Sequence, residues 1–146
     1  LLNSGDTYER DTCQIVSNKI NELKADIYHG MIRVFDDKQL ISIQGCTIHN
    51  IKNSMINHPT CFVSKQIYSK NTYDLRYKSA SDYDFIIKNY NDGAVFCFIE
   101  KILANFYLGG ISSSKNGLLE TTRILYKYKY IGLIKFIIRY LRYTFL

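Results

Sequence analysis

The sequence predicts a mixed α/β fold, because stretches with apolar residues at helical spacing alternate with short runs of β-branched and aromatic residues. Helical spacing is found over residues 11–23, 79–91 and from residue 118 onward. Strand-like runs occupy residues 26–35, 40–43, 60–63, 95–99 and 102–108. The 146 residues amount to about one domain, and a hydrophobic fraction of 47% is sufficient for a core.

The first predicted helix follows a turn at residues 3–6. Asp11 and Gln14 have the spacing of a capping box, in which each side chain satisfies a backbone N–H of the first turn. The apolar residues at helical spacing are Cys13, Val16, Ile20 and Leu23. Leu1 and Leu2 indicate the end of a buried strand, so we expect further strands to precede this sequence.

A β-hairpin is predicted next, because the polar residues 36–39 interrupt two strand-like runs. Residues 66–71 predict one turn of helix. Beyond them, residues 95–99 and 102–108 predict two separate strands, followed by a break at Gly109 and Gly110.

The second strong helix is predicted over residues 79–91. Ser79 or Ser81 is suited to cap its N-terminus, and Asn-Asp-Gly at residues 91–93 ends it. The apolar stripe consists of Tyr83, Ile86, Ile87 and Tyr90. Asp82 lies in the first turn and off this stripe, where a side chain is free to serve another purpose.

The cysteines indicate neither a metal site nor a redox motif. They are widely separated and include no C-x-x-C pair, and no pair of histidines has ligand spacing. The four are Cys13, Cys46, Cys61 and Cys97. Because no secretion signal is present either, we expect reduced cysteines in a cytoplasmic protein.

The net charge of +6 is concentrated at one end of the chain. Residues 1–114 contain twelve Lys and Arg against twelve Asp and Glu, whereas residues 115–146 contain seven cations and Glu120 as the one acid. A neutral body with a basic, aromatic end indicates an anionic surface met by that end.

The last segment, residues 131–146, has the pattern of an amphipathic helix. Lys135, Arg139 and Arg142 recur at helical spacing among large apolar residues. The segment is too short and too charged to cross a bilayer, which needs about 20 mostly apolar residues. Two interpretations remain open: a helix lying on an anionic membrane, and a helix whose apolar side completes the core.

Four short motifs occur in order along the chain. They are Leu-Asn-Ser-Gly-Asp at residues 2–6, His-Pro-Thr at 58–60, Ala-Ser-Asp-Tyr-Asp-Phe at 80–85, and Asn-Phe with Gly-Gly-Ile-Ser at 105–106 and 109–112. Their order and spacing resemble those of bacterial family 2 inverting glycosyltransferases. The resemblance implies a GT-A-like (nucleotide-diphospho-sugar transferase) fold, of which this sequence contains the acceptor-side part (residues 1–114) and a basic helical tail (residues 115–146).

The same resemblance assigns the catalytic base to Asp82. An inverting transfer removes a proton from the acceptor hydroxyl as that oxygen attacks the sugar carbon, so a carboxylate must lie within hydrogen-bond reach of the hydroxyl. At a helix N-terminus the helix dipole favours the ionised carboxylate. Without the surrounding motif, an Asp at this position is more often a simple capping residue.

Asp6 matches the last acidic position of the metal-binding DxD-like segment of the family. The resemblance therefore implies Mg²⁺ or Mn²⁺, which neutralises the departing nucleoside diphosphate. Two departures weaken this implication: no His lies near Gly109 and Gly110, and Met31 stands where relatives often carry an acid. Outside the resemblance, Asn-Ser-Gly-Asp is an ordinary turn sequence.

His58 and Asp84 are the two residues that the resemblance places at the substrate. His58 lines the acceptor pocket in this interpretation, and a structural His before Pro59 is the alternative. Asp84 either supports Asp82 or completes a capping pattern with Ser81. His29 and His49 lack such a context.

The implied activity is transfer of a sugar from a nucleotide-sugar donor to a glycan or lipid-linked acceptor at the inner face of the cell membrane, in envelope polysaccharide synthesis. In the family the nucleotide-binding half precedes residue 1, so we expect weak donor binding by this chain alone. The competing class is a non-catalytic binding module, because Lys-Tyr-Lys-Tyr at residues 127–130 alternates cations with rings, as in single-stranded nucleic-acid binders.

Overall fold

The computed structural model describes residues 2, 5–109 and 114–145. It divides into two compact units, the first formed by Leu1–Asn71 with Asn89–Leu108 and the second by Thr72–Lys88 with Gly109–Leu146. The strand end expected at Leu1 and the turn residues Asn3 and Ser4 lie outside the described residues. The division predicted at residue 114 concerns function and stays a prediction.

The first unit is built on a five-stranded mixed sheet in the order β1-β5-β2-β3, with β4 pairing with β2. The strands are β1 (Thr7–Tyr8), β2 (Ile27–Asp36), β3 (Gln39–Gln44), β4 (Phe62–Val63) and β5 (Phe96–Tyr107). Strands β2 and β5 are parallel, and the remaining pairs are antiparallel. This arrangement confirms the mixed α/β fold class.

The hairpin predicted around residues 36–39 is confirmed. Asp36 pairs with Gln39, and the antiparallel ladder continues to Ile32 opposite Gln44. Asp37 in the turn has a φ of 52°, a left-handed conformation that Asp and Asn adopt more readily than most residues.

The prediction of two strands over residues 95–108 is wrong, because β5 is continuous. Gly30 of β2 pairs with Ile99, whereas the next residue, Met31, pairs with Ile102. Glu100 and Lys101 are thus extra residues in a bulge, and both are exposed. A bulge lets a strand carry polar residues outward without ending.

The helices of the first unit are α1 (Thr12–Glu22) and the short α2 (Lys65–Lys70), which confirms both predicted helical segments. The capping box is wrong, because the Asp11 side chain makes no capping hydrogen bond. Instead, the buried Thr12 hydroxyl donates to the Leu103 carbonyl at 2.5 Å and ties the helix start to β5. Val16 then packs in a core cluster with Tyr28, Cys97, Ile99 and Leu103.

The second unit is helical. It contains residues 81–88 of α3 (Ser81–Asn91), together with α4 (Lys115–Lys127) and α5 (Leu133–Thr144). Three residues of the predicted stripe of α3 are buried, Tyr83 at 4% exposure and Ile86 and Ile87 at 0%, and Tyr90 is half-buried. Helices α4 and α5 contact each other through stacked rings of Tyr126 and Phe136, whose centroids are 4.6 Å apart.

Over the described ranges, no helix has the length and apolar character needed to cross a bilayer.

Candidate functional site

Asp82 lies in the first turn of α3, as predicted, and its side chain is half-buried. Its Oδ1 accepts a hydrogen bond of 2.8 Å from the backbone N–H of Tyr83. The positive end of the helix dipole stabilises the ionised form of a carboxylate at this position. This hydrogen bond holds the Asp82 side chain at the helix N-terminus, and its predicted role as the catalytic base stays a prediction.

The segment that leads into α3 is fixed by Glu120 of α4. The Glu120 carboxylate accepts hydrogen bonds from the backbone N–H groups of Lys78, Ser79 and Ala80, at 3.0, 2.8 and 3.0 Å. Burial raises the pKa of Glu120, but these three donors outweigh it and hold the pKa below its ordinary value. An ionised carboxylate thus satisfies three backbone donors just before the residue predicted to be the base.

The role of Glu120 at the start of α3 was not predicted from the sequence, because Glu120 lies 40 to 42 residues from its hydrogen-bond partners. One signal was present. Glu120 is the one acid among the seven cations of residues 115–146, and an isolated charge of opposite sign in a basic segment often has a dedicated partner.

Asp84 is buried, at 3% exposure, and accepts a hydrogen bond of 2.8 Å from Lys127 Nζ of α4. Burial lowers the pKa of Lys127, but the hydrogen bond and charge of Asp84 outweigh it and raise the pKa above the ordinary value. Helix α4 therefore holds α3 at two points, Glu120 and Lys127. The predicted contact of Asp84 with substrate stays a prediction.

One of the two cations of the Lys-Tyr-Lys-Tyr segment, Lys127, is engaged within the unit. Besides Asp84, Lys127 Nζ lies 5.5 Å from the Tyr77 ring centroid and 4.9 Å from that of Tyr128. A cation held in this way contributes little to a nucleic-acid groove, which draws on cations that reach phosphates. Lys129, the second cation of the segment, is exposed, and the binding-module hypothesis stays a prediction.

Asp6 belongs to the first unit and precedes β1. Its Oδ1 accepts a hydrogen bond from the backbone N–H of Tyr107, at the end of β5, at 3.3 Å. Within the ranges that the structure describes, no group of three His, Cys, Asp or Glu side chains gathers into a metal site. The metal-binding role predicted for Asp6 stays a prediction.

His58 lies in a single 3₁₀ turn, His58–Thr60, and is half-buried. The turn is anchored to β2 by Thr60, whose buried hydroxyl accepts a hydrogen bond of 3.0 Å from the Gly30 N–H. Pro59 and Thr60 are both buried. The buried Pro59 and Thr60 therefore anchor the turn that carries His58. The predicted contact of His58 with the acceptor stays a prediction.

The predicted site residues fall into both units. Asp82 and Asp84 share the first turn of α3 in the second unit, whereas Asp6 and His58 belong to the first. The first unit also has an open groove of about 1190 Å³ whose lining includes Tyr8, Phe62 and Tyr68. None of the four predicted residues lines this groove.

His29, which the sequence left without a role, is a core residue of β2. It is 1% exposed and lies against the rings of Phe96 and Phe98, at centroid distances of 6.3 and 5.3 Å. Neither ring nitrogen has a hydrogen-bond partner among the residues described. Burial lowers the pKa of His29 to about 4, so the ring is neutral at physiological pH.

Comparison with known proteins bears on the fold. No family model matches the chain, and no curated protein matches it. Among solved structures, the fold is similar to TarS 1–349 from S. aureus, a staphylococcal wall teichoic acid glycosyltransferase, with a TM-score of 0.61 and 16% identity. The match covers 99% of this chain and 45% of the TarS chain, so this chain spans less than half of that structure's length. The chain therefore has a glycosyltransferase-like fold.

Proposed function

We propose that this chain is the acceptor-side part of an inverting, GT-A-type glycosyltransferase of family 2, and that Asp82 is its catalytic base. The observation that carries the proposal is the position of Asp82. In a chain with a glycosyltransferase-like fold, this carboxylate stands at the N-terminus of a helix whose leading segment is fixed by Glu120.

The chemistry requires one base. As the acceptor oxygen forms its bond to the anomeric carbon of the donor sugar, the carboxylate of Asp82 takes the proton of that hydroxyl. The bond between the same carbon and the diphosphate breaks, and its electron pair leaves with the nucleoside diphosphate. Because attack and departure occur on opposite faces of the sugar, the configuration at this carbon is inverted.

Helix α4 supports this role by orienting α3. A general base is effective when its carboxylate stays within hydrogen-bond reach of the proton, so small displacements of the helix start reduce the rate. Glu120 restrains the backbone from Lys78 to Ala80, and Lys127 pairs with Asp84 two residues beyond the base. Both contacts act on the turn that carries Asp82.

A divalent cation, Mg²⁺ or Mn²⁺, is part of the proposal. When bound, it would neutralise charge on the departing diphosphate. Asp6 would supply one carboxylate oxygen to it, and its Oδ1 is already oriented by the Tyr107 N–H.

The proposed substrates are a nucleotide sugar and a glycan or lipid-linked acceptor of the cell envelope. The fold likeness to a wall teichoic acid glycosyltransferase supports an envelope polymer as the acceptor class. His58, on the rigid turn anchored by Thr60, is proposed to contact the acceptor.

The decisive test is Asp82→Asn in the complete protein, assayed for transfer from a panel of nucleotide sugars. The amide keeps the shape but does not accept the proton, so the turnover rate should fall by about 10²- to 10⁴-fold while donor affinity changes little. Asp37→Asn is the matched control, because Asn tolerates the positive φ of this exposed turn. Turnover by Asp82→Asn within a few-fold of the unmodified protein would remove Asp82 from the role.

The metal is tested separately by Asp6→Ala and by chelation with EDTA. We expect EDTA to abolish transfer and Asp6→Ala to raise the Mn²⁺ concentration needed for half-maximal activity, since the variant has one ligand fewer. Transfer that is insensitive to EDTA would show that no divalent cation takes part.

A further inference from the structure

Helix α5 carries an apolar face that nothing in the described residues covers. No residue of α5 is buried, and Ile134 and Ile138 are 77% and 61% exposed. The other large apolar side chains exposed on this segment are Leu133, Ile137, Leu141 and Phe145. A contiguous exposed apolar surface of this kind marks a site of interaction.

The helix is divided into three strips along its length. At about 100° per residue, the six exposed apolar positions span an arc of roughly 140°. Lys135, Arg139 and Arg142 occupy the adjacent strip, and Phe136 and Tyr140 occupy the third. The third strip contacts α4, where Phe136 stacks on Tyr126 and Tyr140 receives a hydrogen bond of 3.0 Å from Arg123. Docking on α4 therefore leaves the apolar and cationic strips facing away from it.

The charge of the surroundings selects the kind of partner. Residues 115–146 hold seven cations, and their one acid, Glu120, is used by backbone donors inside the unit. An apolar arc beside a cationic strip is the pattern of helices that lie in the interface of an anionic bilayer. A second copy of α5 docked on the same face would place its cations next to those of the first copy, which repel them. Nucleic acid would bind the cations but would leave the aliphatic arc exposed to water.

We infer that α5 is a membrane-interface helix, which inserts the apolar arc among the acyl chains of an anionic bilayer and sets Lys135, Arg139 and Arg142 among the lipid phosphates. This inference does not rest on the proposed function, because it concerns a surface without any of the proposed site residues. Its test uses no activity assay, so the two can fail separately.

The experiment is co-sedimentation of the full chain with vesicles of phosphatidylcholine alone or mixed with phosphatidylglycerol. The full chain should bind the anionic vesicles, and high salt should weaken this binding without eliminating it, since screening acts on the charges and not on the inserted side chains. Lys135→Glu with Arg142→Glu should weaken binding at low salt by roughly 25-fold or more, because each cation near such a surface is worth about fivefold. Ile134→Glu with Ile138→Glu should abolish the salt-resistant part.

Two control variants on the first unit match these changes in chemistry. Lys38→Glu reverses an exposed charge, and Ile41→Glu replaces an isoleucine that is exposed on β3. Both should bind vesicles as the unmodified chain does, and melting curves of all four variants should coincide with it. If one of the two α5 double variants melts at a lower temperature, the other double variant still tests its own strip of the helix.

Other outcomes would overturn the inference. They include no binding to anionic vesicles at low salt, equal loss in the control variants, and retention of binding by both α5 variants. A dimer that Ile134→Glu with Ile138→Glu dissociates, in a chain that ignores vesicles, would assign the face to a second copy. Tighter binding to an oligonucleotide than to vesicles would assign the cations to nucleic acid.

Discussion

Helices α3 and α5 are nearly equal in length, 11 and 12 residues, and both are amphipathic, yet only α3 has its apolar face inside the molecule. The difference lies in what the neighbouring charges do. Asp84 of α3 pairs with Lys127, and Glu120 binds the backbone just before α3. Beside α5, the cations stand next to an exposed arc. An apolar stripe thus predicts that a segment is a helix. The partners of the charged residues near that helix indicate whether its apolar face packs inside the molecule or is exposed.

The largest effect that tests this comparison comes from trimming one isoleucine on each helix. Ile87→Ala should lower the free energy of unfolding by about 2–5 kcal/mol, because a fully buried side chain leaves a cavity. Ile138→Ala should change it by no more than about 0.5 kcal/mol, since that side chain already faces solvent. Urea unfolding of both variants measures the difference. Equal costs would mean that the α5 face is covered in solution.

A smaller effect is expected from Glu120→Gln, which removes the charge that fixes the start of α3. The amide places N–H groups opposite backbone N–H donors, so unfolding should become easier by about 1–3 kcal/mol at neutral pH. Glu22→Gln is the control, because its exposed pair with Lys19 on α1 contributes little. A loss no larger than that of the control would show that the clamp on residues 78–80 is dispensable.

The same variant has a definite pH signature. The pKa of Glu120 is lowered in the folded state, so its stabilisation is present above the unfolded pKa near 4.5 and is lost as pH falls through the folded value. The difference between the unmodified protein and Glu120→Gln should therefore shrink in acid. His29, with its pKa of about 4, also destabilises the fold below pH 6.5, but equally in both proteins, and cancels from the difference.

Sequence patterns predicted those parts of the molecule that local chemistry decides. The hairpin of β2 and β3 followed from polar residues between two strand-like runs, and α3 followed from its stripe and from the Asn-Asp-Gly end. The position of Asp82 in the first turn came from the same local pattern. Helical spacing from residue 118 onward and the amphipathic pattern of residues 131–146 predicted helices there, and the structure has the pair α4 and α5.

The wrong or missing predictions involve partners distant in sequence. The capping box predicted at Asp11 does not form. The start of α1 is held instead by the hydrogen bond from Thr12 to the Leu103 carbonyl, 91 residues away in sequence. The bulge at Glu100 and Lys101 resembled a strand end, because the pairing of β5 with Gly30 and Met31 of β2 has no local signal. For the same reason, the role of Glu120 at the start of α3 became visible only in the fold.

The contact between β2 and the bulge of β5 limits which substitutions residue 30 can accept during evolution. A Cβ at residue 30 would lie 2.7 Å from a Leu103 side-chain carbon and 2.9 Å from the Lys101 backbone oxygen, and the backbone oxygen has no freedom to move aside. At Gly132, ahead of α5, a Cβ would meet nothing within 4 Å. In a saturation library selected for folding, position 30 should therefore admit glycine alone, whereas position 132 should accept most small and polar residues.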